Sequence, residues 1–139
     1  MKIDPPDEQD LALVEEARKI IAKRFRQNYH HVGAALRTKC GKVIAAVHLE
    51  AHVGRVAICA EAVALGIAAV EGDLEIETMV AVDRYGNVVS PCGMCRELIS
   101  DHAPGCRVIV PVENGSVAVV QVADLLPMKY KRVKPGEKP

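Results

Sequence analysis

Residues 90–97 read Ser90-Pro91-Cys92-Gly93-Met94-Cys95-Arg96-Glu97. A strand-like run, Thr78 to Val82, precedes them, and a helical run, Met94 to His102, follows and is closed by Pro104-Gly105. The octet thus lies where a strand hands over to a helix, with Cys92 at the N-cap and Cys95 one turn inside. The arrangement recurs upstream: Val43 to Val47 reads as a strand, Ala60 to Val70 as an Ala-rich helix stopping at Gly72, and Cys59 stands just before that helix. Strands interleaved with helices predict an α/β fold, three α/β/α layers around a mixed, roughly five-stranded central sheet.

The remaining segments fit this scheme. Leu11, Val14, Arg18, Ile21 and Phe25 recur at steps of three and four with Ile20 beside them, which predicts an amphipathic helix over 11–25. Val32 to Leu36 and Val43 to Val47 flank Thr38-Lys39-Cys40-Gly41-Lys42 and read as a hairpin. Val108 to Val112 and Val117 to Val122 read as two last strands around the Asn114-Gly115 turn. The tail, 129–139, is charged and Pro-rich and is expected to be loose. No internal repeat or linker divides the chain, so a single domain over 1–139 is expected.

Composition narrows the class of partner. The chain has 139 residues, half of them hydrophobic, enough to bury one core. Lys plus Arg equals Asp plus Glu at 18 each, so no net positive field holds a phosphate backbone. With one Phe, three Tyr and no Trp, there are few faces on which unpaired bases stack. A small-molecule partner is favoured over nucleic acid. The N-terminus carries no apolar signal core, and no apolar run approaches the ~18 residues of a membrane span, so a cytoplasmic location and no membrane partner are expected. Of five Cys, Cys40 beside Gly41 reads as a turn residue and Cys106, opening Val108-Ile109-Val110, as a buried small hydrophobe.

The other three point to a metal. Cys92 and Cys95, three apart, share one side of a first helical turn, and Cys59 arrives from 33 positions upstream. Three protein ligands leave Zn2+ an open position, the mark of a catalytic rather than a structural site, because a water bound there loses a proton near neutral pH. Glu61, two residues after Cys59, reaches the same cavity without being a ligand and is the candidate proton shuttle. Alone, a C-x-x-C pair is commoner as a redox couple or half of a structural zinc site, and a Glu on an Ala-rich helix is commonly a solvated face. The order of the two motifs, the Pro before Cys92 and the placement at helix starts favour catalysis. Three thiolates on a divalent ion leave a net charge of −1, which two helix N-termini, each carrying roughly half a positive charge, would help offset.

A C-x-E segment followed by P-C-x-x-C marks the zinc deaminases of nucleobases and nucleosides. Together with Val32-Gly33-Ala34-Ala35-Leu36 and the C-terminal Leu125-Leu126-Pro127 with Tyr130, these residues give the chain a resemblance, over nearly its whole length, to the small three-cysteine cytidine deaminase family, of which blasticidin S deaminase is a relative. The resemblance implies hydrolytic deamination of a pyrimidine nucleoside, zinc on Cys59, Cys92 and Cys95, Glu61 as proton shuttle, and a homo-oligomer, tetramer or dimer, whose subunits complete one another's sites. It also implies substrate contacts from His30, His48, Glu50, Ala60 and Tyr130.

Three positions depart from the family pattern. His48-Leu49-Glu50 stands where an Asn-x-Glu segment holds the ribose, His30 where a Phe packs beside the substrate, and Ala62 where an Arg neutralises the thiolates. Arg55, Arg84 and Arg96 are candidates for the missing cation, each also readable as a surface or structural charge. Four of the five His fall within residues 30 to 52, and His31 and His52 read equally well as strand-edge and loop residues. Three functions follow: deamination of cytidine or deoxycytidine, deamination of a non-standard aminopyrimidine such as a blasticidin S-type antibiotic or a modified cytosine, or a zinc-stabilised interaction protein without the reaction. A nucleic-acid editing role has the least support.

Overall fold

A computed structural model describes residues 1–138; the last residue of the tail, Pro139, lies outside the described residues. In chain order the elements are α1 (Glu8–Arg24), β1 (Gly33–Thr38), β2 (Val43–Val47), α2 (Ala60–Val70), β3 (Ile76–Val82), β4 (Val88–Val89), α3 (Gly93–His102), β5 (Arg107–Pro111) and β6 (Val117–Gln121). The sheet order is β2-β1-β3-β5-β6, with β4 paired to β3. Only β3 and β5 run parallel, joined by the crossover through α3; the other pairings are antiparallel.

Alternation along the strands sorts the core into two faces. Ala35, Val80, Val82, Ile109 and Val119 meet α1 through Leu13, Val14, Ala17 and Ile21. Their neighbours Leu36, Met79, Val108 and Val120 point the other way, onto Ala64, Leu65 and Ala68 of α2 and Cys95 and Ile99 of α3. The expected three layers are therefore present. The sheet has six strands rather than five, because β4 is a two-residue strand too short to show any alternation.

Helix α1 begins earlier and faces differently than its periodicity predicts. Asp7 caps it, accepting from the Asp10 amide at 2.8 Å, while the Asp10 carboxylate accepts from the Asp7 amide at 3.0 Å, a reciprocal box that fixes the first turn. The buried face is Asp10, Leu13, Val14, Ala17 and Ile21; Leu11 is half exposed, and Arg18 lies on the surface bonded to the Gly86 carbonyl. The stripe is turned by one residue because Asp10 is drawn inward by arginines of the sheet. Gly33 lets α1 come this close: a Cβ there would sit 2.7 Å from the Ala17 carbonyl oxygen and 2.9 Å from Ile21 Cβ.

Helices α2 and α3 start where expected, capped by Cys59 and Cys92 in extended backbone. Cys106 is fully buried and Cys40 exposed in the turn between β1 and β2, as read from the sequence. From Tyr130 to Lys138 the tail has no helix or strand and is exposed; Lys129 anchors its start to α3 through Ser100 at 3.0 Å and through Asp101. Among the described residues no helix is long and apolar enough to cross a membrane.

Candidate active site

Both Cys-bearing helix starts open at the same place on the sheet. Backbone bonds in both directions between Leu49 and Ile58, each 2.9 Å, close the loop that follows β2 and deliver Cys59 to the N-terminus of α2. Strand β4 and the buried Pro91 deliver Cys92 to the N-terminus of α3. The sulfurs of Cys59, Cys92 and Cys95 all lie within 4.8 Å of one another, and Cys59 Sγ is 3.6 Å from Cys92 Sγ. Three thiols this close, drawn from two helix starts and with no fourth His or Cys in the group, fit a tetrahedral zinc with one position free.

The environment separates the three thiols. Burial pushes up both Cys59 and Cys95, and the charge of Glu61 adds to the rise at Cys95. At Cys92 burial acts the same way, but the Cys95 amide, the Cys59 thiol and the Met94 amide outweigh it and bring that thiol below its ordinary value. The free amides of the first turn of α3 thus help to bear the negative charge.

Glu61 is 6% exposed, on the first turn of α2. Burial raises its carboxyl above the usual carboxylate range, against a hydrogen bond from its own backbone amide. A cavity of about 200 Å3 opens in front of it, bounded by Cys59, Ala60, Glu61 and Cys92, by His48, and by Val32, Ala57, Ile58, Val89 and Ser90. Its walls are mainly apolar, with Glu61, Cys59, Cys92, Ser90 and His48 as the polar residues among them.

Of the residues expected to touch substrate, His48 and Ala60 line this cavity. Glu50 reaches it through His48, whose Nε2 is 3.5 Å from Glu50 Oε2. His30 sits behind, its Nδ1 donating to the His48 carbonyl at 2.9 Å. Tyr130 is 78% exposed on the tail and does not line the cavity. His31 packs its ring against His48 at 5.6 Å, and His52 is exposed. Sequence reasoning missed Val32, Ala57, Ile58, Val89 and Ser90 as walls; the signal for the last four was adjacency to the Cys motifs, and for Val32 its place at the head of the Val32–Leu36 segment.

None of the three candidate arginines bonds a sulfur. Arg96 donates Nε to the Pro91 carbonyl at 2.8 Å and Nη1 to the Leu125 carbonyl at 3.2 Å. Arg84 stacks 4.5 Å over Phe25, and Arg55 sits on an exposed 3-10 turn. Ala62 lines a separate groove between α2 and α3 with Leu65, Leu98 and His102.

An α/β/α sheet presenting three cysteine sulfurs and a buried glutamate at two helix starts defines a zinc-binding deaminase. The family profile for the cytidine and deoxycytidylate deaminase zinc-binding region matches residues 7–110. Blasticidin-S deaminase of Bacillus cereus is 49% identical, covering 95% of this chain and 99% of that protein. Cytidine deaminase of Halalkalibacterium halodurans is 33% identical over 69% of this chain and 74% of the relative. Among solved structures, cytidine deaminase from Burkholderia pseudomallei superposes with a TM-score of 0.74 at 30% identity, covering 86% of this chain and 98% of that one. The chain belongs to the cytidine deaminase family. It is a deaminase, a hydrolase acting on C–N bonds, with a zinc site at Cys59, Cys92 and Cys95.

Proposed function

We propose that this enzyme hydrolyses the exocyclic amine of a cytosine nucleoside, such as cytidine or deoxycytidine, giving the uridine-type product and ammonia. The observation that carries this reading is one mainly apolar cavity lined by Cys59, Cys92, the buried Glu61 and His48, with the Cys95 sulfur within 4.8 Å of the other two. The ion, when bound, supplies the nucleophile by acidifying a water in its open position. Glu61 would carry one proton of the attacking water to the ring nitrogen and then the second, from the new C4 hydroxyl, to the leaving amine, so one water enters, C4–N breaks, C4=O forms and ammonia leaves. A carboxyl raised by burial suits a group that must both accept and return a proton. In this reading Ala60 and the backbone near Cys92 would meet the base edge, and His48 with Glu50 the sugar.

A second substrate reading has specific support: an antibiotic nucleoside of the blasticidin S type, favoured by the 49% identity to a blasticidin-S deaminase and by His48 at the sugar end. We propose further that the enzyme acts in the cytoplasm, in pyrimidine salvage if cytidine is the substrate, as a homo-oligomer of two or four copies. Exposed apolar side chains beside the cavity, Leu49, Val53, Val56 and Ile58, support the assembly. Ammonia release from cytidine, deoxycytidine, cytosine and blasticidin S by zinc-quantified protein tests the reading, with Glu61→Gln as control. Turnover of a cytosine nucleoside, abolished in Glu61→Gln with zinc retained, is expected; undiminished activity in that variant removes the mechanism.

A further inference from the structure

Three backbone contacts settle the tautomers of His48, in the cavity wall, and of His30 and His31 beside it. The His31 amide donates to His48 Nδ1 at 2.6 Å, so Nδ1 carries no proton in the neutral ring and the single N–H of His48 is at Nε2. The His48 carbonyl can only accept, so His30 Nδ1, 2.9 Å away, is protonated and His30 Nε2 is left as an acceptor. The Asn28 amide donates to His31 Nε2 at 2.9 Å, which places the His31 proton on Nδ1. The rings are also held in place: His31 packs on His48 at 5.6 Å and meets the Phe25 edge at 5.5 Å.

The one N–H of His48 faces Glu50 Oε2 at 3.5 Å, while Oε1 accepts from the Ala51 amide at 3.0 Å and the Glu50 amide is tied to the Tyr29 carbonyl at 3.0 Å. We infer that His48 is a positioning residue for Glu50: locked as the Nε2–H tautomer by the His31 amide, it spends its only donor on the carboxylate, so that His48 and Glu50 together offer a ligand acceptors alone. Hydrogen bonds from the Ala51 amide and from His48 hold the Glu50 carboxyl below the ordinary carboxylate range, which keeps the acceptor charged. The ligand class follows from the donor count. A substrate group that donates, as a sugar hydroxyl does, is recognised by Glu50; an acceptor-only or anionic group at the same place finds no free donor on His48 or Glu50. A neutral imidazole thereby does part of the work of a side-chain amide without offering the amide's second N–H.

This inference rests on the cavity being a nucleoside site, and its test has an arm that does not. Ring nitrogen NMR of zinc-loaded protein labelled in histidine, with His48 assigned by loss of its signals in His48→Asn, is expected to show His48 protonated at Nε2 and bare at Nδ1; the opposite tautomer or a doubly protonated ring at neutral pH overturns the inference whatever the enzyme turns over. In kinetics, His48→Ala should raise KM for cytidine roughly tenfold with kcat within about threefold, and leave 2′,3′-dideoxycytidine, which lacks the ring hydroxyls, unchanged. His48→Asn, which restores a neutral donor, should recover most of the cytidine KM. Equal losses on both nucleosides, or no rescue by Asn, would show a role in packing only. No ammonia from any cytosine nucleoside by the unaltered enzyme would count against the functional reading and leave the NMR result to decide the tautomer lock.

Discussion

Arg107 grips both carboxylate oxygens of Asp10, Nη1 to Oδ1 at 3.0 Å and Nη2 to Oδ2 at 2.9 Å, across 97 positions of chain. Asp10 is fully buried, Arg37 approaches it at 3.5 Å, and Thr78 accepts from both arginines, at 2.9 and 3.2 Å. The first turn of α1 is thereby bolted to β1, β3 and β5 at once.

Removing one side of such a pair leaves charge buried without a partner, which costs more than the pair contributes. Asp10→Ala should lower stability by about 3–5 kcal/mol, read from urea midpoints. Arg107→Ala should cost less, since Arg37 remains beside the carboxylate.

The same carboxylate sets a pH dependence. Burial opposes its charge, but bonds from Arg107, the Asp7 amide and Arg37 prevail and hold it below its ordinary value of 3.8. The unfolded chain therefore takes up this proton first as pH falls. The stabilisation is complete above the unfolded value and is lost as pH drops through the lower, folded one. Urea midpoints from pH 6 to pH 3 should fall more steeply for the native sequence than for Asp10→Asn; parallel curves would contradict this.

Two glycines should respond in opposite directions to alanine. Gly33→Ala pushes a Cβ against the Ala17 carbonyl and Ile21 and should destabilise by about 1–3 kcal/mol. Gly66 lies in α2 with nothing within 4 Å of its Cβ position, so Gly66→Ala should stabilise by roughly 0.5–1 kcal/mol. Thermal melts of the two variants check both signs.

Zinc removal should be costly and pH-dependent. Thiols must shed protons to bind the ion, and burial holds those of Cys59 and Cys95 up, so competition with a chelator should become easier as pH falls, by at least about tenfold per unit for one released proton. Cys95 packs in the main core, so stripping the metal should also lower Tm.

Arg96 spans two segments by holding the Pro91 and Leu125 carbonyls, the first of them directly before a zinc ligand. Arg96→Ala should weaken zinc binding by about tenfold or more, by analogy with other groups that orient ligands. Arg96→Lys should not rescue it, because one ammonium lacks the fork that reaches both oxygens. Unchanged zinc affinity would reduce Arg96 to a surface charge.

Helix starts at Cys59 and Cys92, the Asn114-Gly115 hairpin and the gathering of the three sulfurs were all legible in the sequence, because each rests on local rules of capping, turns and spacing. What local rules miss is pairing at a distance. Nothing in the sequence around Arg37 or Arg107 points to Asp10, far away in the chain, yet they meet it, and that meeting also turns the buried face of α1. Strand β4 was illegible for want of length. His48 was named for its position in the family pattern, but its bond to the His31 amide depends on the β2 exit lying beside residue 31, which periodicity does not encode.

Strand β3 separates Cys59 from Cys92 and Cys95, and the crossover through α3 must close before β5 can lie parallel to it, Thr78 beside Arg107. The three sulfurs meet only where both helix starts stand together on one face of the sheet. One ion holding all three therefore ties together two segments that a strand keeps apart in the chain, and a protein that has bound it carries a record that α2 and α3 are both in place.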